Sequence, residues 1–88
     1  MYTISATKQF KKDVKTLKRQ NRNMDLLKVT IERLAKGEAL PVSFGNHPLR
    51  GSYEGCFDCH LRPDWVLIYE YRGDELILYR TGSHSALF

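Results

Sequence analysis

CFDCHLRPDWVLIYEYRGDELILYRTG, residues 56–82, decides how the chain folds. Over 56–62, Phe57, Cys59 and Leu61 alternate with Asp58, His60 and Arg62, the period of a strand with one apolar and one polar face. Arg62-Pro63-Asp64 is a turn signal. DWVLIYEY, residues 64–71, is almost wholly apolar or aromatic and predicts a central strand. Arg72-Gly73-Asp74 turns the chain back, and ELILYRTG, residues 75–82, supplies the last strand. Three consecutive strands with tight turns predict an antiparallel meander.

Working outward from the meander, Leu40 to Gly51 reads as a loop containing Pro41 and Pro48. Upstream of it the period changes. Ala6, Phe10, Val14 and Leu17 follow helical spacing, with Thr7 or Ser5 as a cap. Asn21-Arg22-Asn23 breaks the pattern, and Asn23 can cap a second helix whose apolar stripe is Met24, Leu27, Ile31 and Leu34. Lys36-Gly37 is a helix stop. Tyr2 and Ile4 alternate with polar neighbours and suit a short opening strand. The expected order is β-α-α-β-β-β: one α+β domain over residues 1–88, a helical hairpin packed on one face of a mostly antiparallel sheet.

The 42% hydrophobic and 27% charged content is that of an ordinary soluble domain. No apolar run reaches membrane-spanning length, and MYTISATKQFKKD has no signal-peptide core, so a cytoplasmic location without membrane contact is expected. Charge is unevenly spread. Residues 1–36 hold ten Lys/Arg and three Asp/Glu, a balance of +7, whereas residues 37–88 balance to −3. A basic first half suits a polyanion, and equally suits a solvated helical face.

Cys56, Cys59 and His60 form a C-x-x-C-H, the pattern of haem attachment, and its C-x-x-C also matches half a zinc site or a thiol redox pair. The strand reading rejects all three. Cysteines three apart on a strand project to opposite faces, and no second Cys/His pair stands at zinc-finger spacing. Redox thiols are activated at a helix N-terminus, which this stretch does not offer. No cofactor and no metal are expected. Cys59 packs inward with Phe57 and Leu61, which leaves His60 on the polar face.

All three histidines, His47, His60 and His84, lie in the second half, in loops or at strand ends that can converge on one rim, with Asp64 at the hairpin. His84 is expected in an exposed tail after the last strand. Imidazoles transfer protons near neutral pH. Exposed aromatics beside cations suit unstacked RNA bases, which brings in Trp65 and Phe88. Trp65 also shares a strand face with Leu67, Tyr69 and Tyr71 and reads equally well as core. RNA carries its own nucleophile in the 2′-OH, so an acid, a base and cations suffice to cut it without a metal.

HPLRGSYEG at 47–55, HLRPDWVLIYEY at 60–71 and LYRTGSHSALF at 78–88 resemble the YafQ-like branch of the RelE/ParE toxin superfamily. The resemblance implies a RelE-like fold and a metal-free mRNA interferase that cuts messages in the ribosomal A site. It implies a cognate antitoxin as partner, with operator DNA reached only through that antitoxin. It carries the site histidines onto His47, His60 and His84, the acidic residue onto Asp64, the flanking aromatics onto Trp65 and Phe88, and a basic position near the scissile phosphate onto Arg80. His84 is the expected proton donor. His60, His47 and Asp64 are the candidates for base, with Asp64 better suited to orienting a histidine. The Lys-rich first helix would meet ribosomal RNA. Two other readings stay open: a gyrase-poisoning toxin on the same fold, and a plain ribosome- or RNA-binding module.

Overall fold

The computed structural model describes all 88 residues. In chain order the elements are β1 (Thr3–Ala6), α1 (Lys8–Arg19), α2 (Met24–Ala35), β2 (His47–Pro48), β3 (Phe57–Arg62), β4 (Trp65–Arg72), β5 (Glu75–Gly82) and α3 (His84–Leu87). They form an α+β fold with one five-stranded sheet in the order β1-β5-β4-β3-β2. β1 runs parallel to β5, and every other pairing is antiparallel.

The expected caps hold the helices and also tie them to the sheet. Thr7 Oγ1 accepts from the Phe10 N–H at 3.0 Å and donates to the Tyr79 carbonyl of β5 at 2.8 Å. Asn23 Oδ1 accepts from the Leu26 N–H at 3.2 Å. Asn21 makes the turn between the helices with φ +57°. The last carbonyls of α2 are tied toward the sheet: the Tyr2 N–H donates to Ala35 at 2.7 Å, and the Tyr71 hydroxyl donates at 2.6 Å to Leu34, which also accepts the Gly37 N–H at 3.0 Å.

The two faces of the sheet differ in how they are filled. Phe10, Leu17, Leu27 and Leu34 of the hairpin pack on Cys59, Leu61, Trp65, Leu67, Tyr69, Leu76 and Leu78. Val66, Leu67 and Ile68 of the central strand are fully enclosed, and burial of each such side chain stabilises by about 1.5–3 kcal/mol. The other face carries a smaller cluster of Cys56, Val66, Ile68 and Leu87.

Two expectations need correction. The loop expected over 40–51 contains β2, two residues long, which lays His47 directly opposite Asp58. The exposed tail expected after the last strand is a helical turn, α3. Ser83 caps it through the Ala86 N–H, and the buried Leu87 docks it on the sheet face opposite the hairpin. The cysteines lie on opposite faces, as expected. Cys59 lies in the hairpin-side core and Cys56 in the cluster on the other face. Burial pushes the Cys59 thiol up to about 12, so it is an inert packing group.

Candidate active site

Strand register brings the site together. His60 of β3, Val66 of β4 and Gly82 of β5 form one row across the sheet, about 10 Å from first to last. His84 follows Gly82 by two residues and opens α3, while Asp64 sits in the β3–β4 turn at the same end. His47 pairs with Asp58, two residues before His60 on the same face. Register thus sets the three histidines along the face that the helical hairpin leaves open, His47 on the edge strand β2, His60 one strand in, and His84 just past the end of β5.

Asp64 and His84 are tied to each other. Asp64 Oδ1 accepts the His84 backbone N–H at 3.2 Å. The carboxylate fixes the start of α3 through the main chain and leaves the imidazole unclaimed. The His84 ring packs on Phe88, centroids 4.8 Å apart, and Phe88 meets the edge of Tyr53 at 5.9 Å. Phe88 stays 53% exposed, so one flank of its ring is free to stack.

His60 is partly sheltered. It lines a cleft of about 420 Å³ with Ser43, Phe44, Leu61, Arg62 and Pro63. His47 is exposed, and Gly45 makes room for it. Gly45 has φ +55°, and a Cβ there would lie 3.2 Å from His47 Cε1. Between the two rings lies Asp58, a residue that sequence reasoning missed. His47 Nδ1 is 3.7 Å from Asp58 Oδ1, and His60 Nε2 is 3.8 Å from Asp58 Oδ2. Asp58 is 6% exposed, and its Oδ1 has no hydrogen-bond donor. A buried oxygen without a donor costs about 1–3 kcal/mol.

Two expected RNA contacts take other roles. Trp65 is 1% exposed and belongs to the core beneath the hairpin. Its indole N–H donates to Thr81 Oγ1 at 2.9 Å, and the Arg22 guanidinium sits 5.9 Å from the ring centroid. The cause is parity: Trp65, Leu67 and Tyr69 share the buried face of β4, so no base can reach the indole as the chain is folded. Arg80 is largely engaged. Its Nε and a terminal nitrogen grip the two oxygens of Asp13 at 2.8 and 3.1 Å. This pairing raises a pKa that is already high, and Tyr53 adds to the rise. Asp13 also accepts from the Thr81 N–H at 3.2 Å and from Gln9 at 3.1 Å, so it fastens α1 to β5. Sequence reasoning missed Asp13 too, because it stands among lysines on a helix that looks solvated.

Around this anchor, Lys8, Lys11, Lys12, Lys15, Lys18 and Arg19 are all exposed, and none is in an ion pair. No three His, Cys, Asp or Glu side chains are grouped to hold a metal ion. Chemically, the site offers three imidazoles for proton transfer, one free aromatic flank and a nearby cationic helix.

The family described as "Bacterial toxin of type II toxin-antitoxin system, YafQ" matches residues 2–88. The mRNA interferase toxin YafQ of Escherichia coli K12 is 40% identical over 86 residues, 97% of this chain and 94% of that protein. The E. coli DinJ–YafQ complex contains a chain that superposes with a TM-score of 0.92 at 38% identity, covering 100% of this chain and 99% of that one. A metal-bound toxin from Helicobacter pylori superposes with a TM-score of 0.93 at 38% identity, covering both chains fully. With the family match over residues 2–88, the 40% identity to a curated relative and the superposed structures in agreement, the chain belongs to the YafQ family of type II toxin–antitoxin toxins.

Proposed function

We propose that the protein is an mRNA endoribonuclease that acts on ribosome-bound messages in the A site and is neutralised by a cognate antitoxin. The placement of His47, His60 and His84 along the open face of the sheet, with the half-exposed Phe88 against His84, carries this reading. The relatives named for mRNA interferase activity, and the relative crystallised with its antitoxin, support it.

In this mechanism His47 or His60 takes the proton of the 2′-OH, and O2′ attacks the adjacent phosphorus. The P–O5′ bond breaks, and His84 delivers a proton to the departing O5′. The products are a 2′,3′-cyclic phosphate, which water can open to a 3′-phosphate, and a 5′-OH. Proton transfer by imidazoles asks for no metal ion. Asp64 places His84 by holding its backbone N–H. Phe88 stacks on a base beside the cut. The exposed cations of α1 meet ribosomal RNA phosphates, while DNA is contacted only through the antitoxin.

The test is a purified translation system charged with a defined message. Cleaved ends carrying 5′-OH, formed only when ribosomes are present and abolished by a co-purified antitoxin, are the expected result. Ribosome binding without cut ends would make the chain a binding module. Stalled replication with intact messages would make it a gyrase poison.

A further inference from the structure

Asp58 is the one side chain of the site with a polar atom, Oδ1, that is sealed from water and left without a donor. Its two oxygens face two different rings. His47 presents Nδ1 to Oδ1, the orphaned oxygen, and His60 presents Nε2 to Oδ2. The separations of 3.7 and 3.8 Å exceed the usual 2.7–3.2 Å of an N–H···O bond. Hydrogen bonding requires each ring to move toward the carboxylate, and His47, 68% exposed at its side chain, has the room to do so. The fold directs no other charged side chain at this carboxylate. Arg80, which shares its sheet row through Ile68, is turned to Asp13.

An ionised carboxylate only accepts, so whichever ring nitrogen faces it carries the hydrogen. In a neutral imidazole the other nitrogen is then bare. The two rings meet Asp58 through different nitrogens, so they take opposite tautomers. We infer that Asp58 is a positioning residue that fixes His47 as its Nδ1–H form and His60 as its Nε2–H form, turning the bare His47 Nε2 and His60 Nδ1 away from the carboxylate as proton acceptors. The catalytic part of this inference rests on the endoribonuclease reading, in which one of these lone pairs takes the 2′-OH proton. The tautomer part rests on the geometry alone.

The consequence for Asp58→Asn is specific. An amide can offer N–H to His47 Nδ1 where the carboxylate could only accept. His47 then carries its hydrogen on Nε2, and the acceptor is lost. The same exchange in a serine protease triad costs about 10⁴-fold. Here the rings are more exposed and share the task, so a loss of roughly 10²-fold is expected.

The test has two arms. Long-range proton–nitrogen correlation spectra of the ¹⁵N-labelled wild-type protein, recorded above the titration range of histidine, report both tautomers without ribosome or RNA. Opposite tautomers, Nδ1–H at His47 and Nε2–H at His60, are expected. Nε2–H at His47 overturns the inference. In the second arm Asp58→Asn is assayed for message cleavage and thermal midpoint. A roughly 10²-fold loss with the fold retained, and His47 shifted to Nε2–H, supports it. Wild-type cleavage by the folded variant overturns the positioning role. If the variant does not fold, the wild-type spectrum decides. If the wild-type protein cuts no message, the endoribonuclease reading fails while the spectrum still decides the tautomers.

Discussion

Trp65 and Phe88 are both aromatic, both were expected to stack on RNA, and they lie on opposite faces of one sheet. Trp65 is sealed under the helical hairpin with its N–H bonded to Thr81. Phe88 stands half-exposed on the open face against His84. The contrast extends to the faces themselves. The covered face spends its alternate positions on Cys59, Leu61, Trp65, Leu67 and Tyr69, a continuous apolar layer. The open face has a smaller buried layer of Cys56, Val66, Ile68 and Leu87, with Leu49, Tyr53 and Tyr79 packed partly buried against it, and along its rim stand His47, His60 and His84. A strand that alternates can serve both demands at once, with stability on one side and reactivity on the other.

Breaking the covered side should give the largest stability loss. Trp65→Ala is expected to destabilise by about 3–5 kcal/mol, read as a shifted midpoint in denaturant titration. A variant with unchanged stability and lost cleavage would return Trp65 to the substrate. The open-side counterpart, Phe88→Ala, should leave the midpoint nearly unmoved. It should lower cleavage by an amount equivalent to about 1–3 kcal/mol, the worth of one stacked base. Loss of stability without loss of cleavage would make Phe88 a packing group.

A smaller effect sharpens the role of the cationic helix. Reversal of Lys11, Lys12 and Lys15 to Glu should weaken ribosome association and reduce the log–log salt slope by up to about three. These side chains are exposed and unpaired, so folding should be unaffected. An unchanged slope would place the RNA contact elsewhere.

The covered face is also probed at high pH. The Cys59 thiol is pushed from 9.0 up to about 12, first by burial and then by the Asp58 charge. Below about pH 9 the thiol is neutral in the folded and unfolded chain alike. As pH rises from 9 toward 12 the unfolded chain ionises first, and stability falls by at most about 1.4 kcal/mol per pH unit. Denaturation of wild type and Cys59→Ala at about pH 8 and about pH 10 should show the steeper decline in the wild type. Parallel declines would mean that Cys59 is reached by solvent.

The meander, the caps at Thr7 and Asn23 and the stop at Gly37 were legible because each depends on neighbours in sequence. The inward face of Cys59 followed from strand period, whereas Cys56 stands one residue before β3 and reaches the other face from there. Parity also put Trp65 on one face with Leu67 and Tyr69, but which face the hairpin would cover is a tertiary fact. Other features were hidden for the same reason. Two residues of β2 and four of α3 are too short to show a period. Asp13 resembles its solvated neighbours until Arg80 and Thr81 arrive from the far end of the chain. Asp58 alternates with His60 as a polar-face residue should, yet its burial depends on a pairing that sequence pattern does not record. The histidines could be singled out as candidates through a long ordered motif, whereas the carboxylate between two of them could not.

The central claim, that the open face performs the cleavage, is tested most directly at His84. Cut sites on a defined message are mapped in a purified translation system with wild type and His84→Gln at matched folded concentrations. Glutamine keeps polarity and similar size but cannot deliver a proton at neutral pH. The expected result is ribosome binding and thermal midpoint equal to wild type, with cleavage reduced by about two to four orders of magnitude. Near-normal cleavage by folded His84→Gln would contradict the account.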